Sequence, residues 1–487
     1  MRRTFISLIS LFALCGASLL YAQDAQLLNQ YDYVGTARYT AMAGAMASVG
    51  ADPSAVLDNP AGLGLYRRLA VTLTMHGQLD YTRMEQYKES QFRGSFMLPQ
   101  ISMVFAFDNT SRNSAMRFCN FMFSYNRLHT FNRKTWGQAA NQPTIANQMM
   151  DQAENFDETT LSQSRYNNAN TGWLSELGYQ AYMIDPVYAQ DANGDTIFDS
   201  WQSYYGIQPA NGIYMEESGS IDEFNLHWGA LFAGHWSVGV GLNIRSLDYY
   251  KQTTYEEALT ADNVNYAQIR TRLSQKGVGV SGTFGVIYQP ARPVRLGLAF
   301  QTPTAMNITT RTEADSYLKD GTLTGQDATP IYRNSESLSQ PLRTTAGATF
   351  LFGEGGLISL QYDFRHHRTT NNVHTFKIGG EIAITNNWFL NCGYAYETAF
   401  IKNEQPTLLP RNSVRTDAEY RTIGLSHFAA AGMGFRNQHV VAQLAYRFRY
   451  QQYDLYPFTS ELVTPDAYSI QAMTHNIVLT LGWHTAK

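Results

Sequence analysis

Residues 236–245 read WSVGVGLNIR. On an extended chain Trp236, Val238, Val240, Leu242 and Ile244 share one face, and Ser237, Gly239, Gly241, Asn243 and Arg245 share the other. Alternation with a period of two residues marks a strand whose faces meet different surroundings. The pattern returns in VRLGLAFQ (294–301), ISLQYDFR (358–365) and QLAYRFRY (443–450), where Leu296, Leu298, Tyr362, Phe364, Leu444 and Tyr446 oppose Arg295, Gly297, Asp363, Arg365, Gln443 and Arg447. The polar face mixes Gly, Ser and Asn with full charges, as a wet lumen allows, while the apolar face suits lipid. A soluble sandwich also alternates. Trp236, Trp388 and Trp483 near strand ends favour the membrane, where aromatic girdles mark the two interfaces.

The bulk composition agrees. Of 487 residues only 16% are charged and 13% are aromatic, yet mean hydropathy is -0.30. A wall that is apolar on one side only has this balance. The formal net charge of -4 is mild, and with no basic run it gives no support for nucleic-acid binding. The first 22 residues read as a signal peptide: Arg2 and Arg3, an apolar stretch from Phe5 to Leu20, and a cleavage position after Ala22. Beyond it no run reaches the roughly 18 apolar residues of a membrane helix. Cys119 and Cys392 are expected to be free.

Alternating runs number about fourteen, from 69–81 to 472–484, and include 220–232, 235–251, 293–312 and 338–352. An even count is what a bacterial barrel requires. The connections give an independent test. DNTSRN (108–113), AGHW (233–236), PARP (290–293), GEGG (353–356), TNN (385–387) and RNQH (436–439) are short and, with one exception at 369–372, alternate with long ones. Short turns on one side and long loops on the other are an outer-membrane pattern. The fold class is therefore all-β, a transmembrane antiparallel barrel spanning 69–487. The 132–219 segment should form an external loop that covers or lines the outer mouth, with a helix or two inside it.

Before the first strand lies GTARYTAMAGAMASVGADPSAVLDNPAGLG (35–64), compact and rich in Ala and Gly, with Pro60 unable to join a ladder. Its Arg38, Met42, Gly44, Asp52, Ser54 and Asn59-Pro60-Ala61-Gly62-Leu63 resemble the N-terminal hatch of the long-chain fatty acid transporter (FadL) family. The resemblance implies that residues 23–68 plug the lumen of a fourteen-stranded barrel in a Gram-negative outer membrane. It implies passive uptake of hydrophobic molecules, long-chain fatty acids foremost, by binding in the lumen, plug rearrangement and lateral release beside a kinked strand. It places Asn59, Pro60, Ala61 and Gly62 near that opening. The residues themselves leave two roles open for this motif, a rigid turn that shapes the plug or a gate.

Arg245, Arg295, Lys377, Arg447 and Arg449 fall on lumen faces. They could bind a carboxylate head group, or pair with Asp363, Glu381 and Glu397. DANGDTIFD places Asp191, Asn193, Asp195 and Asp199 at alternate positions of a calcium-type loop, but Thr196 stands where such a loop needs Gly and Gln202 where it needs Glu. His366-His367 and the other scattered histidines lack a haem-attachment motif, and no nucleophile elbow, zinc-protease helix or phosphate loop occurs. The reading is of a monomer without cofactor or catalysis, whose partners are outer-membrane lipid and hydrophobic small molecules. The alternative is a barrel that only displays its long loop, as an adhesin or haem-binding protein.

Overall fold

The computed structural model describes residues 31–32, 34–86, 90–109, 115–206, 210–260, 264–353, 355–366, 372–399, 409–461, 463 and 465–485. The leader expected at 1–22 and His367 lie outside them.

Fourteen antiparallel strands close into a barrel. They are β1 (Ala70–Met84), β2 (Ser90–Asp108), β3 (Met116–Thr130), β4 (Ala210–Phe232), β5 (Trp236–Ala258), β6 (Tyr266–Ala291), β7 (Val294–Gln301 and Ala305–Asp320), β8 (Tyr332–Ser339 and Leu342–Leu351), β9 (Gly356–His366), β10 (Val373–Ala383), β11 (Trp388–Glu397), β12 (Ser426–Arg436), β13 (Val440–Tyr456) and β14 (Tyr468–His484). Closure runs from Ala70 opposite His484 to Met84 opposite Ile470. The alternation sets the faces as read: Val240, Leu242, Ile244, Leu296, Leu298 and Leu444 are exposed on the outside, whereas Ser237, Asn243, Arg245 and Arg447 are buried inside. An exposed belt of this kind, continued by Phe284, Phe376, Ile378 and Ile477, is stable only against lipid. Cys119 and Cys392 are free, as expected.

Several outer boundaries differ from the sequence reading, among them the end of β7 at Asp320 and the start of β8 at Tyr332. β4 and β5 extend outward to Ala210 and Ala258, well past 220 and 251. Beyond the lipid the apolar side chains turn inward, with Ile213, Met215 and Tyr255 buried and Glu256 exposed outside, so the apolar-out rule no longer governs them. Runs 293–312 and 338–352 are not continuous either. β7 breaks at 302–304 and β8 at 340–341, each at a proline, Pro303 and Pro341. Neither proline can donate to a ladder. Phe300 pairs with Phe284 and Ala305 with Val280, so β7 holds one extra residue against β6, a bulge. The bulge inverts the faces: Leu298 and Phe300 point out, then Met306 and Ile308 point in. β8 inverts at the same level, with Leu338 and Arg343 both inside.

Residues 35–66 fill the lumen. Helix α1 (Ala37–Ala41) is followed by α2 (Pro53–Asp58) and a 3-10 helix (Pro60–Leu65). Asp52 caps α2 by accepting from Ser54 N at 2.9 Å, with Pro53 in the first turn. Asn59 does the same for the 3-10 helix, its Oδ1 accepting from Ala61 N at 3.1 Å. Two elements thus end and begin at one residue, with Pro60 fixing the chain between them.

The wall makes room by omitting side chains. Gly229, Gly239 and Gly285 are successive ladder partners on β4, β5 and β6. A Cβ on Gly239 would fall on the Pro60 carbonyl, and one on Gly285 on the Asn59 side chain. Gly297 on β7 faces Ala47 and Ser48, and Gly379 and Gly393 on β10 and β11 face Met42. The glycines of the alternating polar face are therefore the seat of the plug.

Replacing Gly285 by Val should destabilise the purified barrel by about 1–3 kcal/mol through overpacking and expose the 35–66 segment to protease. Gly77→Ala, where an added Cβ meets nothing within 4 Å, should do neither. Heat-modified electrophoretic mobility and limited proteolysis read both variants.

Candidate functional site

Above the seated plug the lumen is layered. The first layer is charged. Arg343 bridges Asp58 of the plug at 2.8 Å and Asp363 of β9 at 3.0 Å, and Lys377 of β10 reaches the same Asp363 at 2.7 Å. Arg245 pairs with Glu223 at 2.6 Å. Tyr31 lies beneath the guanidinium groups of Arg245, Arg343 and Arg365, at 5.7, 5.7 and 5.3 Å from its ring centre. Asp32 sits between His129 at 2.9 Å and Arg449 at 3.3 Å. Below the seat, toward the inner end of β10, Arg38 of α1 anchors the plug to Glu381 at 2.6 Å.

The five cations named from the sequence are all inside and buried or half-buried, but they are not one cluster. Lys377, Arg245 and Arg449 are held by carboxylates, and Arg295 donates to the plug carbonyl of Val49 at 2.7 Å. Arg447 differs. It is 1% exposed, stacks on Phe428 at 5.3 Å, and its Nε and Nη1 find no acceptor among the described residues. Arg343 follows the alternation of its own strand, inside with Thr345 and Thr349 while Phe350 points out, but it is not among the cations named from the sequence. Glu223 and the 31–32 segment carried no motif at all.

The second layer is apolar. Ile221, Leu247, Leu273, Met306, Ile308 and Leu338 project inward from β4 to β8 and pack with Phe131, beside Leu128 of β3. Here the wall is incomplete. The β2–β3 ladder joins residues 100–108 to 118–126 and stops. Among the described residues, Ser90–Leu98 have no ladder partner on that side, and the gap is crossed by side chains alone, Arg93 reaching Glu216 of β4 at 2.6 Å. β3 bulges at Arg127–His129, ends at Thr130, and the strand Arg133–Ala139 follows β4 instead. Phe92 and Phe96 are exposed beside this seam, Met97 lies inside it, and the Thr130 hydroxyl meets Met97 Sδ at 3.4 Å. The Asn59-Pro60-Ala61 turn is on the β4–β6 side, and its 3-10 helix reaches β3 where Asn120 donates to Leu63 O at 2.7 Å.

The third layer closes the outer mouth. Helices α3 (Ala146–Ala153), α4 (Glu158–Ser164) and α5 (Trp173–Gln180) and a hairpin (Ile184–Gln190 with Thr196–Ser203) form a cap. Met149, Leu161, Leu174 and Leu177 of the cap pack against Ile213, Tyr255, Leu318, Tyr453 and Tyr468 of the strand extensions. Lys251 ties the 409–423 segment across the mouth through Asp417 at 3.2 Å and Glu419 at 2.6 Å. Glu257 holds the start of α3, accepting from Thr144 Oγ1 and Ile145 N at 2.8 Å each. Burial lifts its carboxyl to about 7, against these hydrogen bonds. Beside the cap an open groove of about 530 Å³ is lined by Glu85, Thr422, Leu425, Tyr453 and Ile470, among others. A cavity of about 40 Å³ at Tyr31, Leu57 and Leu128 holds no more than a water-sized group.

The calcium-type residues lie on the exposed hairpin. The Asp191 carboxylate accepts from the backbone of Asn193 at 2.8 Å and of Asp195 at 2.9 Å, closing its own turn. Among the described residues, no three His, Cys, Asp or Glu side chains are arranged to hold a metal.

Arg343→Leu breaks two buried pairs and should cost roughly 3–5 kcal/mol, while Arg447→Leu, which removes donors without acceptors, should be neutral or stabilising. Thermal unfolding in detergent compares the two. Glu257 has a folded-state value raised from 4.5 to about 7, so it favours folding when protonated. That contribution is present below about 4.5 and is lost as pH rises to about 7. Amide exchange of α3 should therefore quicken across this window, and Glu257→Gln should flatten the dependence.

The sequence matches no protein-family profile and no curated relative. Solved structures do match. A Pseudomonas aeruginosa FadL homologue is 13% identical, with 94% of this chain and 100% of that chain covered and a TM-score of 0.54. The CymD monoaromatic hydrocarbon channel is 9% identical over 94% and 100%, TM-score 0.51. A TodX deltaS2S3 mutant monoaromatic hydrocarbon channel is 12% identical over 93% and 99%, TM-score 0.52. At such identity the likeness is one of architecture, and the chain has the fold of these outer-membrane channels.

Proposed function

We propose that this chain is a passive outer-membrane channel for hydrophobic molecules, with long-chain fatty acids as the first candidate substrate. The observation that carries the reading is the unpaired β2–β3 seam beside the apolar layer. A molecule leaving that layer through the seam passes into lipid without crossing the charged layer or the plug. The structural neighbours named above, a FadL homologue and two hydrocarbon channels, support uptake of apolar compounds. They do not choose between an acid and a hydrocarbon. Arg447 favours the acid, because a buried guanidinium with open donors suits a carboxylate. The groove beside the cap gives a first resting place outside. Movement of the plug, with Asn59-Pro60-Ala61 as its rigid turn, would then open the path from the groove to the apolar layer.

The seam can be locked. Cysteines at Met97 and Thr130, in a chain with Cys119 and Cys392 replaced by Ser, should cross-link β2 to β3 on oxidation. Uptake of labelled oleate by cells should fall about tenfold, a loss of roughly 1.4 kcal/mol in the transition state, and return on reduction. Arg447→Leu should impair oleate uptake and spare toluene uptake. Undiminished oleate uptake in the oxidised chain would remove lateral release. Loss of host or haem contact alone on deleting the cap would favour the display reading.

A further inference from the structure

Three consecutive hairpins carry one side-chain arrangement on the outside of the barrel. On β9/β10, Tyr362 and Phe364 flank His374. On β11/β12, Tyr394 and Tyr396 flank His427. On β13/β14, Tyr446 and Phe448 flank His475. In each, the histidine is the ladder partner of the second aromatic: Phe364 with His374, Tyr396 with His427, Phe448 with His475. In each, the tyrosine two residues earlier meets the histidine Nδ1 through its hydroxyl at 2.7 Å. The ring spacings repeat as well. They are 6.0, 6.3 and 6.1 Å to the tyrosine and 5.3, 5.4 and 5.2 Å to the second aromatic.

The three sites lie at nearly one height. Tyr396 pairs with Phe376, two residues from His374, and also with His427, while His427 pairs with Tyr450, two residues from Phe448. Below them on the same strands are exposed belt residues: Phe376 and Ile378 under His374, Met433 under His427, Ile477 and Leu479 under His475. The stripe is thus the outer rim of the lipid-facing belt over β9 to β14.

An aromatic rim needs tyrosine and tryptophan, which place a ring in hydrocarbon and a polar tip at the headgroups. It does not need histidine. The phenol is a good donor and a poor acceptor, and among the described residues its hydroxyl meets no acceptor other than Nδ1. The hydroxyl therefore donates to Nδ1, which leaves the ring proton on Nε2. Nε2 of His374, His427 and His475 has no partner among the described residues. Each tyrosine orients a ring whose second nitrogen presents a fixed N–H at headgroup depth.

We propose that these three His–Tyr pairs are a binding surface for the headgroup phosphates of surrounding membrane lipid. The partner is lipid because the stripe continues the lipid-facing belt upward on the same strands and faces away from lumen, plug and cap. Phosphate oxygens at that depth are acceptors for three donors held in a row. The surface gives one half of the barrel wall a preferred lipid neighbour. It rests on the membrane placement of the belt and not on transport.

The test uses the full mature chain purified in maltoside detergent. Mixed micelles containing phosphatidylglycerol are compared with micelles containing diacylglycerol, which has the same tails and no phosphate. Native mass spectrometry counts retained lipid. The wild-type chain should retain the phospholipid about tenfold more than the diacylglycerol. His374→Phe, His427→Phe and His475→Phe combined should abolish that preference. The corresponding three Gln substitutions, which keep an N–H donor, should restore most of it. Unchanged heat-modified mobility confirms that each variant is folded. Equal retention of both lipids by the wild-type chain, or an unaltered preference in the triple Phe variant, overturns the proposal. So does light scattering that shows a dimer dissolved by the Phe substitutions with no lipid preference, since the stripe would then belong to a second copy. Loss of oleate uptake alone, with lipid preference intact, would bear on the transport reading and leave this one standing.

Discussion

A stretch of irregular backbone inside a membrane barrel has no bulk water to satisfy it, so the wall must supply its hydrogen bonds. This requirement organises the molecule. Gln361 Oε1 accepts from Met46 N and Ala47 N at 2.9 and 2.8 Å, Ala37 N donates to Thr480 Oγ1 at 2.8 Å, Arg295 donates to Val49 O at 2.7 Å, and Ser237 donates to Ala61 O at 2.5 Å. Each partner comes from a different strand. The plug is therefore a piece of chain whose secondary structure is completed by side chains of the cylinder around it, while glycines between those side chains let the two backbones approach.

The layering follows from the same constraint. Charges buried near the plug are costly unless paired, and Asp58, Asp363, Arg343 and Lys377 form one connected set across plug and wall. Such a set holds the plug strongly and opposes an apolar guest. Under the proposed function, a guest would bypass this set through the apolar layer next to the incomplete ladder. The hydrophobic cap would then keep water out of that route. A cap latched by a carboxylate of raised affinity for protons also makes the closure sensitive to the medium outside.

Much of this was legible in the sequence, for reasons that differ by region. Between the two rims lipid enforces alternation, so runs such as 236–245 and 443–450 declare strand, face and approximate depth together. Short turns are compositionally sharp, and the Asn-Pro-Ala step is recognisable because Pro60 fixes its conformation and Asn59 caps the helix that follows. Legibility ended where lipid ended. The outer extensions of β4 and β5 keep a two-residue period but carry their apolar side chains inward against the cap, and packing on those side chains sets the cap helices. The lumen cations were visible as inward positions, and Asp363 was among the partners named for them, which Lys377 meets at 2.7 Å. Asp58 and Asp32 were not legible, because they arrive from the N-terminal segment instead of a neighbouring strand.

The paired breaks at Pro303 and Pro341 carry a consequence for how this protein can vary. Phe300 faces Thr344 and Ala305 faces Ser339, so the two strands stay in step with each other while both turn over. Straightening one alone would send its outer half inside out, with Met306 and Ile308 in the solvent or Leu338 torn from its neighbours. Straightening both would slip β7 by one step against β6. The two breaks on adjacent strands thus act as one structural unit, and neither can be straightened alone without repacking Met306, Ile308 or Leu338 inside the barrel.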